Sequence, residues 1–445
     1  KVAISDGTLT VNENIAMGNN ASQNDITFSG AGALNVSGNL TTGQLTCAAN
    51  STINVGGTFT PTAFMASTST INYNGTDQNL GAFTYFNLTT SNSGLKTLPN
   101  ANVTVNGNLN ISNSTLAFTT SAARTLIVVG DLSGDGILDM SSGNRTHTLN
   151  LGGASNTIGT FMTAAVASTI NYNRAGDQTV FASPVYRNLT ISGSGNKTMQ
   201  GDISVGGTFN PAGDGLTIGA NTLTLNGQIN CGTLVGGATS NIMIGGAGTA
   251  SLSGVTLNNL TVSRSITLCG NVTVEGTLTL TSGALSIAAN TLTLSDGANL
   301  SYGAGSVTGG VTSNLTIGTG ADITLNVIAN GLNDFSSSRN ITLGANLSLN
   351  GTLTLTAGTF TVGPRTLTLN GPTIAGTPEN LVTTAASSLV FGGTSANVLI
   401  PTSVVALVGL SITNTNIVSL QSSLTLSGTF NPAGAGLSIG ANTLT

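Results

Sequence analysis

Three aspartates at four-residue intervals, Asp131, Asp135 and Asp139, form the densest group of ionisable residues in this chain of 445 residues. Carboxylate oxygens at turns are ligands that calcium prefers, so calcium is the one cofactor that this group suggests. The spacing matches neither an EF-hand loop nor the glycine-rich calcium repeat. Aspartates of ordinary surface turns and, less favoured, catalytic carboxylates are the other interpretations.

His147 is the only histidine, so the chain offers a single imidazole as a general base. Its neighbours Thr146 and Thr148 predict an ordinary outward or loop position. No nucleophile elbow is present, and a hydrolase or lyase on a β-helix would need paired carboxylates on one face. We therefore predict no catalytic residue, no resident cofactor and no enzymatic activity.

Four tyrosines occupy matched positions in two copies of one repeat, in a chain whose aromatic content is only 4%. Tyr73 corresponds to Tyr172, and Tyr85 corresponds to Tyr186. One interpretation is a packing position that recurs between neighbouring parts of the fold. The other is a platform on which sugar rings stack, which makes these residues candidate glycan contacts.

Asparagine followed at the second position by Ser or Thr is frequent, and many such sequons arise from composition alone. N-glycosylation also requires a host that performs it. The candidate glycosylation sites are Asn74, Asn87, Asn188, Asn259 and Asn314.

Short alternating strands must position all of these residues. Segments such as Val103–Val105, Leu278–Leu280 and Leu353–Leu355 place apolar side chains on one face and hydroxyls on the other. Gly and Asn bound the strands and tolerate the left-handed backbone of tight corners. Asn-Gly also favours hairpins, but the long repeats favour parallel coils. We predict an all-β fold, a parallel β-helix (β-solenoid) with no significant helix.

The repeats recur after about 100, 70, 75 and 75 residues, which predicts modules of four, three, three and three coils. Each coil would hold about 24–25 residues, and about 18 coils would stack about 4.8 Å apart. The predicted parts of one continuous solenoid are N-terminal coils 1–57, long modules 58–157 and 158–258, modules 259–333 and 334–408, and a partial module 409–445.

Charged residues make up 6% of the chain, and the net charge of −5 shows no run of one sign. Nucleic-acid binding needs clustered Lys and Arg, so we predict no nucleic-acid partner. No apolar stretch reaches the roughly 18 residues of a membrane helix, so we predict no membrane insertion. Both ends look processed or cropped, because the chain begins without Met and stops within a repeat.

Cys47, Cys231 and Cys269 lie within or beside alternating apolar stretches, and none belongs to a CxxC motif. Zinc and thioredoxin-like chemistry are therefore not indicated. The cysteines are either small buried apolar residues, or Cys231 and Cys269 form a bridge, or one of them links subunits.

The segments 186–198 and 276–280 resemble repeats in very large secreted bacterial surface proteins, the β-strand-repeat and filamentous-haemagglutinin-like adhesins. The resemblance covers most of the chain through degenerate motifs. It implies an exported β-helical shaft that is held at the cell surface or assembled outside the cell. It implies no catalytic residue.

These observations predict a structural subunit or shaft segment of an extracellular bacterial filament, sheath or surface adhesin. Copies would pair end to end through uncapped coils, and glycans or a cell surface are further candidate partners. An alternative is a carbohydrate- or ice-binding surface made of Thr-x-Thr pairs. Such pairs recur once per module in the sequence, whereas an ice-binding face should repeat in every coil. A polysaccharide lyase or hydrolase is the least favoured alternative.

Overall fold

A computed structural model of the chain describes residues 1–163, 167–182, 185–326 and 328–445. They form two compact units, Lys1–Thr217 and Ile218–Thr445. Each unit is a stack of short parallel strands, and the units together contain about 22 turns of β-solenoid. Apart from the 3-10 turns Ser142–Asn144 and Pro378–Asn380, the described residues contain no helix. The predicted fold class is confirmed.

The strands of the first unit are two to seven residues long. In chain order, β1 to β28 span Val2–Ile4, Thr8–Val11, Ile15–Ala16, Asp25–Phe28, Ala33–Val36, Leu40–Thr46, Thr52–Val55, Phe59–Met65, Thr70–Tyr73, Gln78–Asn79, Thr84–Tyr85, Asn87–Thr90, Leu95–Thr97, Val103–Val105, Leu109–Ile111, Thr115–Ala117, Thr125–Val128, Leu132–Ser133, Ile137–Asp139, Thr148–Leu151, Thr160–Met162, Thr169–Tyr172, Gln178–Val180, Asn188–Ile191, Lys197–Met199, Ile203–Val205, Phe209–Pro211 and Leu216–Thr217.

The strands of the second unit are equally short. In chain order, β29 to β58 span Thr222–Leu225, Leu234–Val235, Asn241–Ile244, Ser251–Leu252, Val255–Leu257, Asn259–Val262, Ile266–Leu268, Val272–Val274, Thr277–Leu280, Ala284–Ser286, Thr291–Leu294, Asn299–Tyr302, Ser306–Thr308, Asn314–Ile317, Ile323–Leu325, Ile328–Ala329, Phe335–Ser337, Ile341–Leu343, Leu347–Leu349, Leu353–Leu355, Phe360–Thr361, Thr366–Leu369, Ala375–Gly376, Leu381–Val382, Ser388–Phe391, Val398–Ile400, Ala406–Ile412, Val418–Leu420, Thr425–Asn431 and Leu437–Ser438.

The chain visits several sheets in turn and adds one strand to each sheet per coil. In the first unit, β9, β10 and β11 belong to three different sheets before β12 pairs with β9. Two seven-stranded sheets result, one from β2 to β18 and one from β11 to β27. In the second unit, the sheet from β33 to β51 also has seven strands. The strands pair in parallel, as coil stacking requires.

The coils are shorter and more variable than the sequence repeats predict. The register advances by 16 residues from Ser251 to Thr267, by 19 from Leu34 to Ile53 and by 25 from Leu9 to Leu34. The predicted 24–25 residues therefore describe only the longest coils, and the predicted coil number of about 18 is too low. Corner loops of different lengths account for the variation, because a surface loop can lengthen without changing the core.

Copies of a sequence repeat lie on different sheets. Thr70–Tyr73 belongs to the sheet from β2 to β18, whereas its copy Thr169–Tyr172 belongs to the sheet from β11 to β27. In the second unit, Thr222–Leu225, Thr291–Leu294 and Thr366–Leu369 lie in three separate sheets. A repeat thus contains a non-integer number of coils, which corrects the whole-number counts. The module boundaries themselves stay a prediction.

Alternate residues of each strand point into the core. Leu34, Ile53, Ile71, Leu88 and Leu109 are register neighbours on five successive coils, and each is fully buried. Burial of one such side chain contributes about 1.5–3 kcal/mol relative to exposure. Columns of this kind run inside both units and hold the polar corners in position.

Candidate functional site

The repeated tyrosines lie inside the core. The hydroxyls of Tyr73 and Tyr85 are 2.8 Å apart, and those of Tyr172 and Tyr186 are 2.9 Å apart. All four side chains are 0% exposed. Burial raises the pKa of Tyr73 and of Tyr172 to about 12, so the hydroxyls remain protonated donors. A fully buried ring cannot stack on a sugar, so the structure supports the packing interpretation and not the predicted glycan contacts.

Each tyrosine pair also forms hydrogen bonds with the backbone of a neighbouring corner. The Gly81 N–H donates to the Tyr73 hydroxyl over 3.0 Å, and the Tyr85 hydroxyl donates to the Gly81 carbonyl over 2.7 Å. Phe181 takes the place of Gly81 in the second copy. The pair therefore satisfies both backbone groups of a residue at the corner, which explains why both tyrosines repeat together.

Two lysines at matched positions of the same repeat, Lys96 and Lys197, are also fully buried. The ammonium of Lys96 donates to the carbonyl oxygens of Gly75 (2.7 Å), Thr76 (2.5 Å) and Ser93 (3.2 Å). Burial lowers its pKa, and the carboxylate of Asp77 opposes this shift. Because Gly75 and Thr76 lie one coil before Lys96, the ammonium joins two coils.

The second lysine repeats this arrangement. Burial lowers the pKa of Lys197, and Asp214 and Asp177 oppose the shift. Its ammonium donates to the carbonyl oxygens of Arg174, Gly176, Ser194 and Gly195.

Two arginines of the second unit act in the same way. The Arg339 side chain is 3% exposed. Its guanidinium donates to the carbonyl oxygens of Ala298 (2.7 Å) and Ser295 (3.1 Å), which lie 41 and 44 residues earlier in the chain. Arg264 donates to the carbonyl oxygens of Gly248 and Gly227. Several backbone carbonyls converge on each of these cations and accept its N–H donors. Sequence analysis did not identify these clamps.

Asparagine and aspartate side chains bond the backbone of the next coil. The Oδ1 atom of Asn87 accepts the N–H of Asn108 (2.9 Å), and Asn108 Oδ1 accepts the N–H of Asp131 (2.9 Å). Asp131 Oδ1 in turn accepts the N–H of Ser155 (3.1 Å). The three bonds form a polar ladder along one corner, in which Asn and Asp have the same role as acceptors.

Glycine precedes the capped residue because the capping side chain needs its space. A Cβ atom on Gly107 would lie 2.4 Å from Asn87 Oδ1, and a Cβ atom on Gly130 would lie 2.4 Å from Asn108 Oδ1. Both distances are far below van der Waals contact. The recurring Gly-Asn and Gly-Thr steps therefore mark corners at which one coil caps the next.

The three candidate calcium ligands serve separate turns. Asp131 caps Ser155 as described, and Asp135 Oδ1 accepts the N–H of Asn113 (2.8 Å). That bond lowers the pKa of Asp135. Asp139 Oδ1 accepts the N–H of Ser141 (2.7 Å). Within the described ranges no three His, Cys, Asp or Glu side chains are grouped to hold a metal ion, and calcium binding stays a prediction.

Four of the five candidate glycosylation sites are corner asparagines that cap the next coil. The side-chain oxygens of Asn188, Asn259 and Asn314 accept backbone N–H groups one coil later, as that of Asn87 does. Asn74 follows β9 and is half-buried. A glycan on a corner asparagine would have to leave the capping oxygen in place. Glycosylation stays a prediction at all five positions.

His147 lies in the loop before β20, as one prediction had it, but its side chain is buried, so the predicted outward position is wrong. Its ring lies 4.5 Å from the ring of Phe118, and its Nδ1 accepts the N–H of Arg124 over 3.2 Å. Burial lowers the pKa of the imidazole, which favours the neutral ring. Phe118 supplies an apolar surface one coil earlier, which the flanking threonines do not reveal.

Cys231 and Cys269 form a disulfide with Cα atoms 6.3 Å apart. Of the alternatives for these two residues, the bridge is therefore the one present. Cys47 is a buried free thiol, as expected for a small apolar residue. Burial raises its pKa, so the unreactive thiol form is favoured.

Comparison with known proteins identifies no relative of the chain. No protein-family model matches the chain, and neither a curated protein nor a solved structure matches it. Among the described residues, no helix is long and apolar enough to cross a membrane.

Proposed function

We propose that the chain is a structural subunit or shaft segment of an extracellular bacterial filament, sheath or surface adhesin. The observation that carries the proposal is that the polar and charged side chains described above bond to the chain's own coils. Buried lysines, two arginines, tyrosine pairs and corner asparagines all make bonds within or between coils. Bonds of this kind hold a stack of coils together, which suits a structural role.

The disulfide between Cys231 and Cys269 supports an exported location. Disulfides form and persist in oxidising compartments and are rare in the cytosol. The resemblance of the repeats to secreted adhesins points in the same direction.

Assembly would proceed by adding coils at an open sheet edge. Phe430 in β57 is 38% exposed, whereas its register neighbour Leu410 on the preceding coil is buried. A further coil, from the same chain or from a second copy, would cover Phe430 and pair with the edge of β57.

Electron microscopy of native protein tests this proposal with two substitutions on β57. We expect fibres from the wild type and from Asn431→Asp, whose position faces outward beside Ser411. Phe430→Asp should abolish fibres, because the next coil would bury an unpaired charge. Absence of fibres from the wild type, or fibres from Phe430→Asp, would contradict end-to-end assembly.

A further inference from the structure

A shallow groove crosses four neighbouring strands of the second unit, β29, β31, β34 and β37. It encloses about 340 Å³, and all the side chains that line it are uncharged. Its outward-facing residues are Thr222, Asn241, Met243, Asn259, Thr261, Thr277 and Thr279.

The centre of the groove combines an apolar surface with a row of hydroxyls. Met243, Thr261 and Thr279 are register neighbours on consecutive coils. Met243 is 47% exposed, so it offers an apolar surface beside the hydroxyls. Three coils span about 10 Å, which is comparable with a disaccharide.

The amides beside this row are held in fixed orientations. Asn259 Nδ2 donates to Asn241 Oδ1 over 2.9 Å, and Asn259 Oδ1 accepts the Thr277 N–H over 2.9 Å. The hydroxyls of Thr261 and Thr279, by contrast, make no hydrogen bond with any residue that the structure describes. A ligand thus meets a rigid strand surface with unused donors and acceptors, which reduces the entropy lost on binding.

We propose that this groove binds an extended, neutral, β-linked polysaccharide. The C–H face of a sugar ring would pack on Met243, and the sugar hydroxyls would bond Thr261 and Thr279. The uncharged lining gives no attraction for nucleic acid or an acidic polymer. Ice is a poorer fit, because the Met243 side chain interrupts the hydroxyl row. The site goes beyond the shaft function and does not rest on assembly.

Native electrophoresis of the full chain through gels containing hydroxyethyl cellulose, glucomannan or dextran tests the proposal. We expect the wild type to be retarded by at least one of the two β-linked polymers and not by dextran. Thr261→Val keeps the shape of the side chain and removes the hydroxyl, and it should weaken retardation about tenfold. Thr273→Val, on β36 in a different sheet, is the matched control and should behave as the wild type.

Retardation by none of the polymers would overturn the proposal, as would an equal loss in the two variants. If no polymer retards the protein, but the wild type inhibits ice growth and Thr261→Val does not, the groove would be assigned to ice instead. Circular dichroism checks that both variants fold. All samples in the gels also carry Phe430→Asp, which keeps the chains single, so absence of retardation overturns the groove alone and not end-to-end assembly.

Discussion

The side-chain oxygen of Asn87 accepts the backbone N–H of Asn108, one coil later, over 2.9 Å. The bond satisfies a backbone donor at a corner, where the strand ladder is interrupted. Asn108 and Asp131 repeat it on the following coils. The corners are therefore held by side chains, while the strands are held by backbone pairing.

Asn87→Ala should lower the free energy of unfolding by about 1 kcal/mol, the usual effect of removing a capping acceptor. Asn87→Asp should cost much less, because Asp131 makes the same bond naturally. Denaturant unfolding followed by circular dichroism measures both values. An equal loss in both variants would show that the amide, and not the accepting oxygen, is required.

Lys96→Met should destabilise the first unit by about 2–4 kcal/mol, because three carbonyl oxygens lose their donor inside the protein. Arg365→Met changes an exposed cation and should be nearly neutral. The midpoints of denaturant unfolding compare the two variants. Equal midpoints would rule out a clamping role for the buried ammonium.

His147 should make stability depend on pH below its ordinary pKa of about 6.5. Its pKa is lowered in the folded chain, so the unfolded chain takes up the proton first as the pH falls. The stabilising contribution is complete above pH 6.5 and is lost on acidification, with a slope of at most about 1.4 kcal/mol per pH unit.

The carboxylate charge of Asp139 opposes the lowering of the His147 pKa, and the guanidinium charge of Arg124 adds to it. Unfolding measured at pH 7.5 and pH 5 for the wild type and for His147→Gln isolates the contribution of the imidazole. The difference between the two pH values should be smaller in the variant. An unchanged difference would show that carboxylates elsewhere account for the pH dependence.

Leu278→Asp should disrupt the second unit, since Leu278 is fully buried between Leu260 and Leu300. Burying an unpaired carboxylate costs more than about 4 kcal/mol. Thr279→Asp, one residue later on the outward face, should stay within about 1 kcal/mol of the wild type. Thermal unfolding distinguishes the pair, and full stability of Leu278→Asp would refute its inward position.

The double variant Cys231→Ser, Cys269→Ser should lose about 3–4 kcal/mol, because the bridge closes a loop across a sequence separation of 38 residues. Cys47→Ala is the control, since this cysteine forms no bridge. Unfolding with and without dithiothreitol should reproduce the difference in the wild type. A wild type insensitive to reduction would indicate that the bridge contributes nothing to stability.

Some features of the candidate sites were accessible from strand alternation. Tyr73 lies two residues from Ile71, and Lys96 lies two residues from Leu98, so each shares the inward face of an apolar neighbour. That rule places both polar residues in the core. The partners of Lys96 were not accessible, because Gly75 and Thr76 belong to the preceding coil.

The sequence by itself determined the all-β class, the parallel coils and the inward faces of the strands, because side-chain alternation is a local property of the backbone. Only the tertiary structure decided which residues become neighbours along a column. Coil lengths range from 16 residues between Ser251 and Thr267 to 25 between Leu9 and Leu34. The contacts of a side chain therefore depend on the length of every corner loop between two strands. A repeat spacing gives only the sum of several such lengths.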